Sequence, residues 1–246
     1  MKYLSKFLPA ETLLILESEN ADLKELLKIT FMDLLLKQVL EIITISKKTS
    51  SSRDKIRNYK YVLRGENYQN YKPHEYELVY LSPYQKSSSI KVLFQHLIRM
   101  GFQNVKNEAK YFSTVRRSQN INHCFTKSIF QKVFGGFSIT QEGKELRNRI
   151  LNEISQIEKE LAEIIVTDKE KVKQIISVVG GNIFFLKNID ISLLKQIDSE
   201  ILNEMNKKDQ DGGNGCFGCS SWDSGCSGCS GSGCSGDSGC SGCGGD

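Results

Sequence analysis

The spacing of apolar residues divides this 246-residue chain into blocks. PAETLLILES at 9–18 predicts a short helix opened by Pro9. LKELLKITFMDLLLKQVLEI at 23–42 predicts a longer one, with apolar residues three and four apart and Asn20 or Asp22 placed to cap it. The order returns further along. PHEYELVYLS at 73–82 opens on Pro73, and SIKVLFQHLIRMGF at 89–102 follows a polar break. Two similar helical units, related by duplication, are the expectation.

Each helical block leads into a strand-like pair. IITIS (42–46) and KYVLRGENY (60–68) are β-branched or aromatic runs flanking the polar stretch KKTSSSRDKIRN, which predicts a hairpin. FQKVFGGFSIT (130–140) predicts a tighter hairpin turning at Gly135-Gly136. TQEGKELRNRILNEISQIEKELAEII (140–165) reads as one long amphipathic helix. Asp168 is placed to cap KEKVKQIISVV, Gly180-Gly181 to stop it, and ISLLKQIDSEILNEM to add a last helix. These C-terminal helices are expected to pack as a lid on the second unit.

The string FSITQEGKELRNRI resembles the wing and exit helix of winged-helix proteins. LPAETLLIL with LLKITFMDLLLKQVLEI loosely resembles the Golgi phosphoprotein family, whose members bind phosphoinositides. The resemblances imply an α+β, mostly helical fold with two winged-helix-like units, at 1–70 and 71–166. C-terminal helices follow at 167–208, then a disordered Gly/Ser/Cys tail at 209–246. On that plan the helix at 23–42 would be the one offered to DNA. Its surface is mainly Leu, Ile, Phe and Met, with Lys28, Asp33, Lys37 and Gln38 expected outside, so it is expected to be buried or to face protein rather than read bases.

Charge sharpens the division between body and tail. All 33 Lys and Arg lie before residue 209, while five of the 29 Asp and Glu lie from Asp209 onward, leaving the body near +9. Lys47, Lys48, Arg53, Lys55, Arg57, Lys60 and Arg64 crowd the first hairpin, opposed by Asp54 alone. Such a strip can hold the phosphates of a nucleic acid or an anionic lipid, or can be a solvated loop guarding a sheet edge. Lys110, Arg116 and Arg117 beside Tyr111 and Phe112 form a smaller cluster, with the aromatics expected in the core. The three histidines, His74, His96 and His123, stand in no catalytic or metal-ligand pattern, and Cys124 reads as a core thiol. No Gly-rich phosphate loop is present. The body is therefore expected to be non-enzymatic and to bind a protein partner. No apolar run reaches membrane-spanning length, and Pro9 and Glu11 interrupt the first one, so a cytoplasmic address is the expectation.

Seven of the eight cysteines lie in the tail, at Cys216, Cys219, Cys226, Cys229, Cys234, Cys240 and Cys243, and glycine precedes every one. Three CxxC pairs result. Three readings fit: a loose thiolate cluster for zinc or Cu(I), a substrate for modification, and an inert low-complexity segment. For modification, a glycine before cysteine leaves the carbonyl least hindered for cyclisation by the thiol. GCSGCSGSGCSG resembles the cores of microcin-type azole peptide precursors, which implies a modifying enzyme as partner. Similar Gly/Cys-rich tails end assorted uncharacterised bacterial proteins.

Overall fold

The computed structural model describes residues 2–47, 57–126, 137–164 and 167–186. The chain divides into two units, Met1–Gln210 and Asp211–Asp246, close to the expected start of the tail. The second unit, with all seven tail cysteines, lies outside the described residues, as do 187–210. The described part is an α+β fold, mostly helical, with two small antiparallel sheets.

Helix α1 (Pro9–Glu17) begins with Pro9 in its first turn, where a missing N–H costs nothing. Helix α2 (Leu23–Leu36) is capped by Asp22, whose carboxylate accepts the Lys24 N–H at 3.1 Å. The helix stops six residues short of the expected end at Ile42. Gln38 adopts φ 54°, and the Gln38 and Val39 N–H groups reach back to the Leu35 and Leu34 carbonyls at 3.0 Å each. That is a Schellman cap, closed by glutamine where glycine is usual.

Strand β1 (Leu40–Lys47) then pairs in antiparallel register with β2 (Arg57–Arg64), from Leu40 opposite Arg64 to Lys47 opposite Arg57. The hairpin is the expected one, but its strands run over 40–47 and 57–64 where 42–46 and 60–68 were expected. A methyl group on Gly65 would lie 2.0 Å from the Gln38 carbonyl oxygen, so strand end and helix end touch backbone to backbone.

The second block departs further from expectation. Helix α3 (Leu78–Gln85) follows a 3-10 turn at Glu75–Glu77. Val92–Leu93, expected as the start of a helix, forms β3 and pairs with Val62 and Tyr61 of β2. The sheet order is β1-β2-β3, so the stretches expected as separate units at 1–70 and 71–166 share one sheet. Helices α4 (Phe94–Asn104) and α5 (Glu108–Arg116) follow, and then β4 (Phe125–Thr126). β4 pairs with β5 (Ser138–Ile139); the Gly135-Gly136 turn lies outside the described residues. Helix α6 (Gln141–Ile164) and helix α7 (Lys169–Val179) match the expected spans. Asp168 caps α7 by accepting the Lys171 N–H at 2.9 Å, and Gly180, at φ 57°, ends it.

Two apolar clusters result. One joins α1 and α2 to Val62, Tyr80, Leu97 and Val115. The other joins Leu4, Ile15 and Leu16 to Ile150, Ile154, Ile157 and Leu161 of α6 and to Ile175 and Val179 of α7. Helix α1 contributes to both, and every residue from Pro9 to Leu16 is buried. Helix α7 packs on α6, and its 3-10 extension Gly180–Phe185 also contacts α1 and α2; the second expected lid helix, ISLLKQIDSEILNEM, lies outside the described residues.

Helices α3 and α4 meet at Gly101, where a methyl group would sit 2.2 Å from the Tyr80 ring. Tyr80 is fully buried and packs its ring on Phe31, 5.1 Å between centroids, so it has nowhere to retreat. Gly101→Ala is expected to cost about 1–3 kcal/mol by overpacking, read as a lower urea midpoint with an unchanged slope. An unchanged midpoint would mean that the α3–α4 contact is looser than described.

Candidate functional site

The register of the three-stranded sheet sorts its side chains onto two faces, because neighbours across a ladder share a face and neighbours along a strand alternate. One face carries Ile42, Val62 and Val92, which belong to or pack against the first cluster. The opposite face carries Ile43–Tyr61–Leu93 in one row, Ile45–Tyr59 in the next and Leu63 beside Glu41. None of these six apolar residues belongs to either cluster or packs against one. Leu93 is 40% exposed. At the open end of this face Lys47 stands opposite Arg57, and the Lys47 ammonium lies 5.7 Å from the centre of the Tyr61 ring.

The four described residues of the expected cationic strip divide between the two faces. Lys47 and Arg57 lie on the outer face, whereas Lys60 and Arg64 lie on the side of Val62. Arg64 pairs with Leu40 at the far end of the hairpin, about 23 Å along the strand from Arg57 at the usual rise. Its guanidinium sits 4.4 Å from the centre of the Tyr68 ring and donates to the Tyr84 carbonyl. Lys48, Arg53 and Lys55 lie outside the described residues.

The other sequence candidates resolve individually. Tyr111 and Phe112 are core residues. Arg116 is buried beside them, its guanidinium 4.1 Å from the Phe137 ring centre and its Nε donating to the Phe112 carbonyl at 3.2 Å. Lys110 and Arg117 are exposed. Cys124 is fully buried, and burial, with Glu142 adding to it, pushes its thiol up to about 11. His123 is exposed, 3.7 Å from Glu142. Among the described residues no group of three or more His, Cys, Asp or Glu could hold a metal ion. No described helix is long and apolar enough to cross a membrane.

Sequence reasoning missed the buried carboxylates. Asp33, expected outside, is 3% exposed; its Oδ2 accepts from Lys37 at 2.5 Å, and its Oδ1 is buried without a hydrogen-bond partner. It packs against Gly181, where a methyl group would lie 2.3 Å from Oδ1. Glu11 and Glu77 are buried as well, and each accepts a backbone N–H three residues earlier, from Leu8 at 2.9 Å and from His74 at 2.7 Å. In each case a glutamate in the first helical turn follows a proline, Pro9 or Pro73, by a few residues. Tyr71 donates its hydroxyl to Glu77 at 2.7 Å. Burial first, and the Glu77 charge next, hold the Tyr71 and Tyr76 phenols well above the ordinary tyrosine value.

No family model, curated protein or solved structure matches this chain.

Burial holds the Asp33 carboxyl above its ordinary value, with Lys37 offsetting part of the effect. A carboxyl raised on folding stabilises the fold while protonated, and that contribution is lost as pH rises through its folded value. Asp33→Asn cannot ionise, so its stability relative to the native chain is expected to improve from about pH 4 to about pH 8. Urea midpoints across that range check this. A difference that is flat, or that moves the other way, would mean that the Lys37 ion pair outweighs burial.

Proposed function

We propose that this protein is a non-enzymatic adaptor whose body docks a partner protein on the outer face of the β1-β2-β3 sheet. The observation carrying the reading is the set of six apolar side chains on that face, Ile43, Ile45, Tyr59, Tyr61, Leu63 and Leu93, which neither core claims. An apolar patch with polar residues at its margin is the usual mark of a protein-binding surface. Lys47 and Arg57 at one end favour a partner segment whose apolar side chains are followed by acidic ones. Aliphatic groups outnumber the two tyrosines, which favours protein over a stack of bases.

The order α3, β3, α4, α5, β4, β5, α6 is that of a winged helix with its exit helix, which supports that relationship for the second block. The pairing of β3 with β2 sets it apart from a free-standing unit of that kind. For the tail we propose soft-metal or thiol chemistry, with zinc or Cu(I) held by the CxxC cysteines Cys216/Cys219, Cys226/Cys229 and Cys240/Cys243 and by Cys234. Strict glycine before every tail cysteine favours a second reading, a precursor whose tail is converted to azoles by a modifying enzyme.

A photo-crosslinking residue at Tyr61 in the full chain is expected to capture one partner protein in its native cells. The complex rebuilt from the two purified proteins should weaken about tenfold or more in the Tyr61→Glu, Leu93→Glu double variant, with the melting temperature kept. Unchanged affinity of that variant would sink the docking reading.

Intact mass of the native protein, measured denatured and reduced, separates the two tail readings. Azole formation removes about 20 Da per converted residue, giving a ladder of losses confined to the tail. Metal binding leaves the encoded mass and appears under native conditions as zinc or copper lost below about pH 4. Encoded mass with no retained metal would overturn both.

A further inference from the structure

A half-open cavity of about 400 Å³ lies on the inward side of β2, away from the sheet face described above. Its wall combines Arg64 with Tyr68, Tyr71, Pro73 and Leu81, and the amides of Gln69 and Gln85 complete the lining. Apolar and ring surfaces with a few polar groups, in a volume of this order, are the ordinary make-up of a small-molecule site.

The cation is the element that needs explaining. Arg64 is partly buried, its guanidinium lies on the Tyr68 ring, and one of its nitrogens is given to the Tyr84 carbonyl. Its Nε is buried without a hydrogen-bond partner. No carboxylate lines the cavity, and none among the described residues forms an ion pair with Arg64. A charge taken partly out of water without a counter-charge is costly unless something completes it. The nearby Lys37, 5.7 Å from the Tyr71 ring centre, already has its counter-charge in Asp33. One unmatched positive charge therefore faces the cavity.

We propose that this cavity binds a small organic monocarboxylate with an aromatic body. The carboxylate takes the Arg64 guanidinium, whose planar fork matches it. The single unmatched cation favours a monoanion over a phosphate dianion or a diphosphate. The aromatic body lies against Tyr68, Tyr71 and Pro73, where offset or edge contacts between rings are favourable. Gln69 and Gln85 offer amide donors and acceptors to a polar substituent. The aromatic and aliphatic walls, more than the charge, set the size of the body that fits.

The test uses the full-length protein with three acids, benzoate, phenylacetate and indole-3-acetate, each against its uncharged amide. Arginine side-chain and amide NMR resonances are followed through each titration. At least one acid is expected to shift the Arg64 Nε–H and the Tyr68 amide, and to bind about tenfold or more tighter than its amide. Arg64→Gln should remove the preference for the acid, and Arg64→Lys should keep part of it, having charge without the fork. Because Arg64 also holds the Tyr84 carbonyl, Gln69→Trp provides a variant independent of that contact. Gln69 is exposed at the cavity wall, and an indole there should block acid and amide alike without lowering the melting temperature. The proposal is overturned if none of the three acids perturbs the cavity. Acid and amide binding equally, acid preference surviving in Arg64→Gln, or binding undiminished in Gln69→Trp would each overturn it too.

Discussion

Helix α1 is surrounded on all sides, and its burial is the constraint from which the rest of the arrangement follows. Its sequence is not all apolar: Glu11 and Thr12 go inside with Leu13 to Leu16. A buried carboxylate has to be met by donors, and the donors come from far away. Leu8 gives its N–H, Ser118 its hydroxyl, and Asn120 its amide at 3.3 and 3.4 Å. The turn after α5 is thereby fixed to a helix more than a hundred residues earlier in the chain.

The segment before α1 is held in the same way. Glu153 of α6 accepts the N–H groups of Tyr3 and Leu4 at 2.8 and 3.3 Å. Asn182, buried after α7, donates to the Leu4 and Phe7 carbonyls at 2.6 Å each. These two long-range polar attachments, through Glu153 and Asn182, are directional where apolar packing is not, so they fix the position of the N-terminal segment against α6 and the C-terminal 3-10 turn. The apolar clusters on either side of α1 then close around it. The two helical pairs expected as separate units contribute to one interior.

The sheet is where that interior meets the outside. One face is fastened to the core by Val62, and the Tyr84 hydroxyl donates to the Val62 carbonyl at 3.0 Å. Since side chains alternate along a strand, fixing Val62 inward sends Tyr59, Tyr61 and Leu63 outward with Ile43 and Ile45. The same alternation carries Arg64 inward to the cavity edge and leaves Arg57 at the outer rim. A single register thus decides which hairpin residues lie on the outer face and which line the cavity.

Local sequence determined much of the secondary structure. Asp22 and Asp168 caps, Pro9 at a helix start, Gly180 at a helix end and the 3.6-residue spacing of Ile150, Ile154, Ile157 and Leu161 each act within a turn or two, so they can be read without knowing the fold. The end of α2 escaped because Gln38 fills a left-handed position that usually announces itself with glycine. Val92–Leu93 became a strand because the edge of β2 was there to pair with, a condition set by residues thirty positions away. The same holds for Asp33, Glu11 and Glu153. A carboxylate on a helix reads as exposed from its own neighbourhood, and only the elements packed over it make it an interior residue. The tail's Gly-Cys repeat is a property of the sequence alone, whereas the apolar outer sheet face and the unmatched Arg64 exist only once distant strands and helices have chosen their sides.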